Sequence, residues 1–174
     1  MKFHLRRLDR EIKDGKALRS LLAHQQHFVM SMIDGGEPYA VPMGYVYDEG
    51  GHAVYFHCSK EGRKMNALKE NPHVWGVVVL DEGVQEGACV NMYASATFSG
   101  EVVWVTDAAE KRRVMNLFAE KLSADTVSVK QRLEKMFEAE PALTAVLFGK
   151  IRVEGLTGKR STEMTEQRLL ELTS

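Results

Sequence analysis

The sequence predicts a mainly β chain with flanking helices, its strands antiparallel and closed into a barrel. Three observations carry this. Residues 28–58 hold three strand-like runs with no helix between them, whereas a doubly wound parallel sheet alternates strands with helices from its start. Asp34-Gly35-Gly36 and Asp48-Glu49-Gly50-Gly51 are short turn signals of the kind that join hairpin neighbours. The long strand-like stretch 90–105 contains Ser99-Gly100, which marks a bend or bulge such as a barrel corner needs.

The elements follow in order. Residues 1–13 are polar and basic, with Arg6, Arg7, Arg10 and Lys13 against Asp9 and Glu11, and read as an exposed lead-in. Asp14 caps a short helix whose Leu18, Leu21 and Leu22 recur at i, i+3, i+4. Residues 28–33 and 38–47 form a hairpin, and 52–58 add a third strand. Ser59 is a candidate N-cap and Glu61 a first-turn acid, so a helix opens at Lys60 and stops at Asn71-Pro72. Residues 73–80 (HVWGVVVL) are almost continuously apolar, as in a strand covered on both faces, and a second subunit is one way to cover the outer face. Residues 81–87 read as a polar loop and 90–105 as a long strand. Asp107 caps a helix with Val114, Leu117, Phe118 and Leu122 on one face; a second helix over 126–139 repeats that spacing in Leu133, Met136 and Phe137. Residues 143–156 give the last strand, and the tail from Thr157 is polar and mobile.

At 174 residues the chain suits one domain, 1–174, with a core over about 14–158. That length buries roughly 70% of the unfolded surface. A net charge of −1 and a pI near 6.6 weigh against a nucleic-acid or membrane-surface partner, which calls for a basic excess. Two cysteines are too few for a disulfide framework, no secretory apolar region opens the chain, and no run approaches the ~20 apolar residues of a membrane span. The expectation is a cytoplasmic protein.

Chemistry concentrates in two places. In the strand Tyr39-Ala40-Val41-Pro42-Met43-Gly44-Tyr45, Pro42 has no N–H for a ladder and belongs at an edge or bulge. Gly44, on the same face, lets a flat group approach the backbone. A kinked barrel rim would look the same. The second place is the helix start carrying Gly62, Arg63 and Lys64, where unpaired N–H groups and two cations suit an anion, phosphate above all. With His57-Cys58-Ser59 ending the intervening strand, these elements can hold a planar ring at one end and a phosphate at the other, the shape of a phosphorylated flavin. His57 is either a donor to the ring or proton shuttle, or an ordinary half-buried strand histidine. Cys58 precedes a helix N-terminus, which favours a thiolate, yet a buried inert thiol is the commoner outcome. His24 and His27 lack partners at zinc spacing, no dinucleotide, P-loop or nucleophile-elbow motif is present, and Glu134, Glu138 and Glu140 read as a solvated helix face. No metal site is expected.

Residues 38–74, PYAVPMGYVYDEGGHAVYFHCSKEGRKMNALKENPHV, resemble the FMN-binding split-barrel proteins of the pyridoxamine 5'-phosphate oxidase-like superfamily, most closely its nitroimidazole-resistance (Nim) branch. The PY-x-x-P strand, the YFH-C-x-x-EGRK segment, Tyr93-Ala94-Ser95, Gly100 and the helix start from Asp107 to Lys111 carry the resemblance, which covers roughly 5–158. It implies a six-stranded antiparallel Greek-key split β-barrel forming a homodimer with FMN at the interface. It further implies Val41, Pro42, Met43 and Gly44 along the isoalloxazine ring, His57, Cys58 and Ser59 beside the ring and ribityl chain, Arg63 and Lys64 on the phosphate, and Ser95 and Thr97 near the flavin. This chain has Gly44 where many relatives carry Asn, and Cys58 where many carry Ser. Vitamin B6 oxidation is not implied, since the C-terminal substrate segment of the true oxidases finds no match. The expectation is a flavin-dependent oxidoreductase acting on a small electron acceptor such as a nitroaromatic, with His57 as a supporting catalytic donor. A non-catalytic flavin- or haem-binding module and a redox sensor are the alternatives.

Overall fold

The computed structural model describes residues 5–87, 89–122, 125–138 and 146–173, without the side chains of 133, 134 and 136–138. Among them are seven strands: β1 (His27–Asp34), β2 (Glu37–Asp48), β3 (Ala53–Cys58), β4 (His73–Gln85), β5 (Val90–Trp104), β6 (Leu147–Arg152) and β7 (Gly155–Arg160). Helices α1 (Gly15–His24), α2 (Arg63–Glu70), α3 (Ala108–Leu122), α4 (Thr126–Glu138) and α5 (Glu166–Leu172) flank them. The strand order is β4-β1-β2-β3-β6-β5-β7, and β4 also pairs with β5, so six strands close into a ring. Every pairing is antiparallel.

The seventh strand corrects the expected count of six. The run 143–156 is not one strand: it breaks at Val153-Glu154, where the two N–H groups bond to the carbonyls of His52 and Ser99. Residues 143–145 of that run lie outside the described residues. Beyond the break, β7 pairs with β5 over Ala94–Ser99, while β6 pairs with β5 from Val102. The bend expected at Ser99-Gly100 is this change of partner. A Cβ on Gly100 would lie 2.2 Å from the Arg152 carbonyl oxygen, so the close approach of β6 there requires glycine.

The barrel interior is aromatic. Phe28 meets Tyr45 edge-on at 5.3 Å and Phe98 at 5.5 Å between ring centroids, and Phe56 is buried beside them. Helix α1 plugs one end with Leu21 and Leu22; as expected, the Asp14 side chain caps it, accepting from the Lys16 N–H.

Several expectations need correction. The lead-in is not wholly exposed, because Glu11 bridges to Lys159 and Ile12 is buried. Nor is the tail free: residues 157–160 belong to β7, and α5 returns to α1 with Met164 and Leu169 buried and the Ser20 hydroxyl donating to the Thr173 carbonyl at 2.9 Å. The loop 81–87 is mostly strand, since β4 runs on through a register shift at Asp81/Val84 to pair Gln85 with Val90. On β4 burial alternates within the chain, Val74 and Val78 inward and Val79 exposed, so the protein itself covers only one face. Leu122, expected on the packed face of α3, is exposed, while Val114 and Phe118 are buried. The side chains of Leu133, Met136, Phe137, Glu134, Glu138 and Glu140 lie outside the described residues. Among the described residues no helix is long and apolar enough to cross a membrane.

Candidate functional site

The site forms where the barrel opens. Residues 37–44 of β2 pair with β1, but β3 joins β2 only over Tyr45 to Asp48. From His57 onward β3 continues with β6 instead, as His57↔Phe148 and Cys58↔Leu147 show. The N-terminal half of β2 therefore has one open edge. The Tyr45 N–H bonds to the Gln26 carbonyl at 3.3 Å, so the odd-numbered N–H groups of β2 face β1. Ala40, Pro42 and Gly44 point their nitrogens to the open edge, and Pro42 costs no ladder bond. The expectation of an edge strand holds for this half of β2 alone.

Helix α2 packs mainly against β1, with Met65, Ala67 and Leu68 buried. It opens at Arg63, not Lys60. The N-cap is Gly62, at φ 119° and ψ 172°, a conformation only glycine adopts without strain. Ser59 makes a local turn instead, accepting from the Glu61 N–H at 3.4 Å. The correction moves the helix start onto the two cations themselves. Built Cβ atoms at Gly44 and Gly62 would meet nothing within 4 Å, so both the open edge and the helix start have free space beside them.

The two cations are held differently. Arg63 Nε donates to Asp34 Oδ2 at 2.5 Å, and its guanidinium lies 4.3 Å from the Tyr39 ring centroid. Lys64 Nζ donates to Met43 Sδ at 3.2 Å, tying α2 to β2. Met43 is thus buried under Lys64 and Val41 is packed on the core, leaving Pro42 and Gly44 as the outward surface of the strand.

His57 points outward between Phe118 and Phe148, at centroid distances of 5.2 and 6.2 Å. Burial by these rings, and then the nearby Lys64 charge, lower its pKa, so the imidazole is neutral at pH 7. It can donate one N–H but is not a standing cation. Cys58 is buried, its Sγ 3.8 Å from Met65 Sδ; burial pushes the thiol up against the opposing pull of Lys64. The inert reading of Cys58 fits these surroundings.

Ser95 and Thr97 are not gathered with the others in one chain. Register sets Thr97 beside Val77, Val77 beside Val29 and Val29 beside Pro42, three strand spacings or about 14 Å along the outer face. Two neighbours of Arg63 escaped the sequence. Asp34 read only as a turn residue and Tyr39 only as a strand aromatic; the hairpin register, which pairs Asp34 with Glu37, was the available signal that the turn lies close to Tyr39. Together the open edge and the start of α2 can hold a flat group at one end and an anion at the other.

A family model described as pyridoxamine 5'-phosphate oxidase matches residues 14–160. No curated protein matches. Among solved structures, a candidate 5-nitroimidazole antibiotic resistance protein from Bacteroides thetaiotaomicron is 25% identical, with a TM-score of 0.71 and 86% of each chain covered. The flavocytochrome Anf3 from Azotobacter vinelandii is 19% identical at a TM-score of 0.69, over 91% of this chain and 72% of that one. A FAD- and haem-binding protein from Mycobacterium smegmatis is 20% identical at 0.69, over 87% and 73%. The last two likenesses are of fold.

Proposed function

The chain belongs to the pyridoxamine 5'-phosphate oxidase family, and we propose from that premise that it is an FMN-binding homodimer that passes electrons to a small acceptor such as a nitroaromatic. The observation that carries this reading is the open edge of β2 lying against a helix start that bears two cations. The similarity to a candidate nitroimidazole-resistance protein and to flavin-binding structures supports it.

Bound flavin would supply the redox chemistry, and the protein orientation and electrostatics. Arg63, Lys64 and the free N–H groups of α2 would take the terminal phosphate. One helix start with two cations matches one phosphate monoester, which favours FMN over a dinucleotide. The N–H groups of Ala40 and Gly44 would hold the ring edge, and Pro42 and Gly44 would let the ring lie flat. Val41, Met43, Cys58 and Ser59 shape the wall behind it. His57, neutral at pH 7, would donate a hydrogen bond where negative charge develops, a role typically worth about 10²–10⁴ in rate. The dimer would cover the outer sheet face, where Val29, Trp75 and Val79 are exposed, and would bring Ser95 and Thr97 toward the partner's ring.

The test begins with the absorbance spectrum and an FMN titration. Quenched flavin fluorescence and a scattering mass of about twice 19.6 kDa are expected. A Soret band would instead point to haem, and a colourless monomer that ignores FMN would end the proposal. Reduced FMN on the protein should then be reoxidised by a nitroimidazole or a quinone faster than free reduced FMN, and His57→Ala should slow that step without releasing the flavin. Reoxidation no faster than in free solution would leave a binding module without catalysis.

A further inference from the structure

Helix α3 packs over β2 and is pinned to the barrel at both ends. In its first turn Glu110 accepts from the Tyr55 hydroxyl at 2.7 Å and from Lys150 Nζ at 2.9 Å. Arg113 donates to the same hydroxyl at 2.9 Å and pairs with Asp48. In its last turn Lys121 Nζ donates to the Gln25 carbonyl at 2.5 Å and rests on the buried Tyr45 ring. Between these pins Val114 and Phe118 share an apolar cluster with Val46, Tyr55 and Phe148. His57 borders it. Tyr45 and Phe56 are the last β2–β3 pair and face the core, so the next residues along, Gly44 and His57, face the side where α3 lies. The imidazole is edge-on to Phe118, at 69° and 5.2 Å between centroids, and tilted on its cross-strand partner Phe148 at 6.2 Å. Among the described residues it makes no hydrogen bond and no ion pair. Glu110, Arg113 and Lys150 are engaged at Tyr55, two residues back, and Lys64 of α2 opposes a charge on the ring. With no polar partner to orient it, the ring is oriented by packing.

We propose that Phe118 is a positioning residue of the candidate site, holding the His57 imidazole on the outer face beside Gly44 with its polar edge unspent. Phe148 belongs to the barrel itself; Phe118 is the part of the clamp that α3 brings, and the polar pins are what fix it there. The consequence is chemical as well as steric. Two aromatic rings shield the imidazole and keep it neutral at pH 7, with one N–H to give and one nitrogen to accept. The positioning stands without any cofactor; its use, toward a flavin ring on Pro42 and Gly44, rests on the reading proposed above.

The test follows His57 by NMR in the full chain, through its ring-proton pH titration and its NOEs. In the native chain the imidazole should show NOEs to the Phe118 ring and titrate below the ordinary value of about 6.5. Phe118→Leu, which keeps an apolar side chain but removes the ring, should move the titration up toward that value, incompletely because Lys64 remains. Val114→Ala is the control: it loosens the same cluster one turn away and should cost stability in urea without moving His57. With FMN added, Phe118→Leu should slow reoxidation of the bound reduced flavin by up to about 100-fold, as a misplaced group does, and change FMN affinity by less than about twofold. Should Phe118→Leu fail to fold, the NOEs and titration of the native chain still decide. A His57 that lacks NOEs to Phe118, titrates at its ordinary value, or shifts as much in Val114→Ala as in Phe118→Leu overturns the proposal. So does reoxidation that is fast but indifferent to Phe118→Leu. His57 following Phe118 in a chain that ignores FMN would keep the positioning and remove the flavin reading; FMN bound normally, with His57 titrating as an exposed histidine, would do the reverse.

Discussion

The sharpest prediction concerns Arg63, because the structure shows what an incoming phosphate must compete with. Its guanidinium is paired with Asp34 at 2.5 Å and stacked on Tyr39. The Arg63 side chain is 59% exposed and that of Asp34 24%, so the pair is worth only about 0.2–1 kcal/mol. A charge-assisted bond to phosphate is worth about 1.5–3 kcal/mol. If the phosphate takes Arg63 from Asp34, the net is about 1–2 kcal/mol, and Arg63→Ala should weaken FMN binding roughly 5- to 30-fold. Riboflavin, which lacks the phosphate, should change by less than about twofold on the same scale. Asp34→Asn should have the opposite sign, tightening FMN by up to about fivefold, because it frees Arg63 and removes a negative charge beside the phosphate. In an Arg63→Ala background that gain should shrink. Flavin fluorescence quenching reads all four chains against both ligands, and urea unfolding should show Arg63→Ala costing no more than about 1 kcal/mol. Equal losses for FMN and riboflavin, or weaker FMN binding in Asp34→Asn, would show that Arg63 does not hold the phosphate.

Three further outcomes can be checked on the same protein. Gly100→Ala should destabilise the fold by about 1–3 kcal/mol or more in urea, since the added Cβ meets the Arg152 carbonyl oxygen of β6, backbone that cannot turn aside. Exposed Cys89 should react with a thiol reagent in the native chain, whereas Cys58, buried and with its thiol pushed up, should react only on unfolding; two fast thiols would contradict this. Burial pushes Lys121 down to about 8, so the penalty for its charge is fully present below pH 8 and relieved as pH passes 10.5. Urea unfolding at pH 7 and pH 10 should therefore show the native chain gaining on Lys121→Met by up to about 3 kcal/mol, less whatever the Tyr45 face and Gln25 carbonyl return to the ammonium.

Local chemistry made much of this fold legible. Asp14, the Asp-Gly-Gly turn and Asn71-Pro72 each act within a few residues, and the elements they delimit stand within a residue or two of their expected ends. What escaped depends on partners distant in sequence. Ile12 is buried because its N–H reaches Gly158, and the tail packs because Met164 and Leu169, with Leu170 and Leu172 beside them, join the core cluster that holds α1 and the barrel interior. The helix start failed for a different reason. Ser59 has good capping chemistry, but β3 keeps pairing with β6 through Cys58, so the chain needs Gly62 to turn before helix can begin. At the candidate site, residue types singled out β2 and the start of α2, but only the fold could set Asp34 and Tyr39 against Arg63.

The position of the rule-breaking residues is itself an argument about where function lies. Pro42 lacks a ladder donor, Gly44 lacks a side chain in mid-strand, and Gly62 holds a backbone conformation closed to other residues. Each would weaken an ideal barrel, yet Pro42 and Gly44 lie where β3 leaves β2, and Gly62 opens the helix whose Lys64 bonds to Met43 of that strand. A gap needed only for packing would be sealed by ordinary strand residues, with Met43, Met65 and Leu68 already supplying the apolar contact. Departures from local preference tolerated together at one opening fit a surface kept bare for a ligand rather than a defect in the sheet. Restoring strand chemistry there, with Pro42→Val and Gly44→Val together, should therefore leave stability unchanged or improved while flavin binding falls. Flavin affinity that survives the double replacement would mean the open edge of β2 is not where the ring lies.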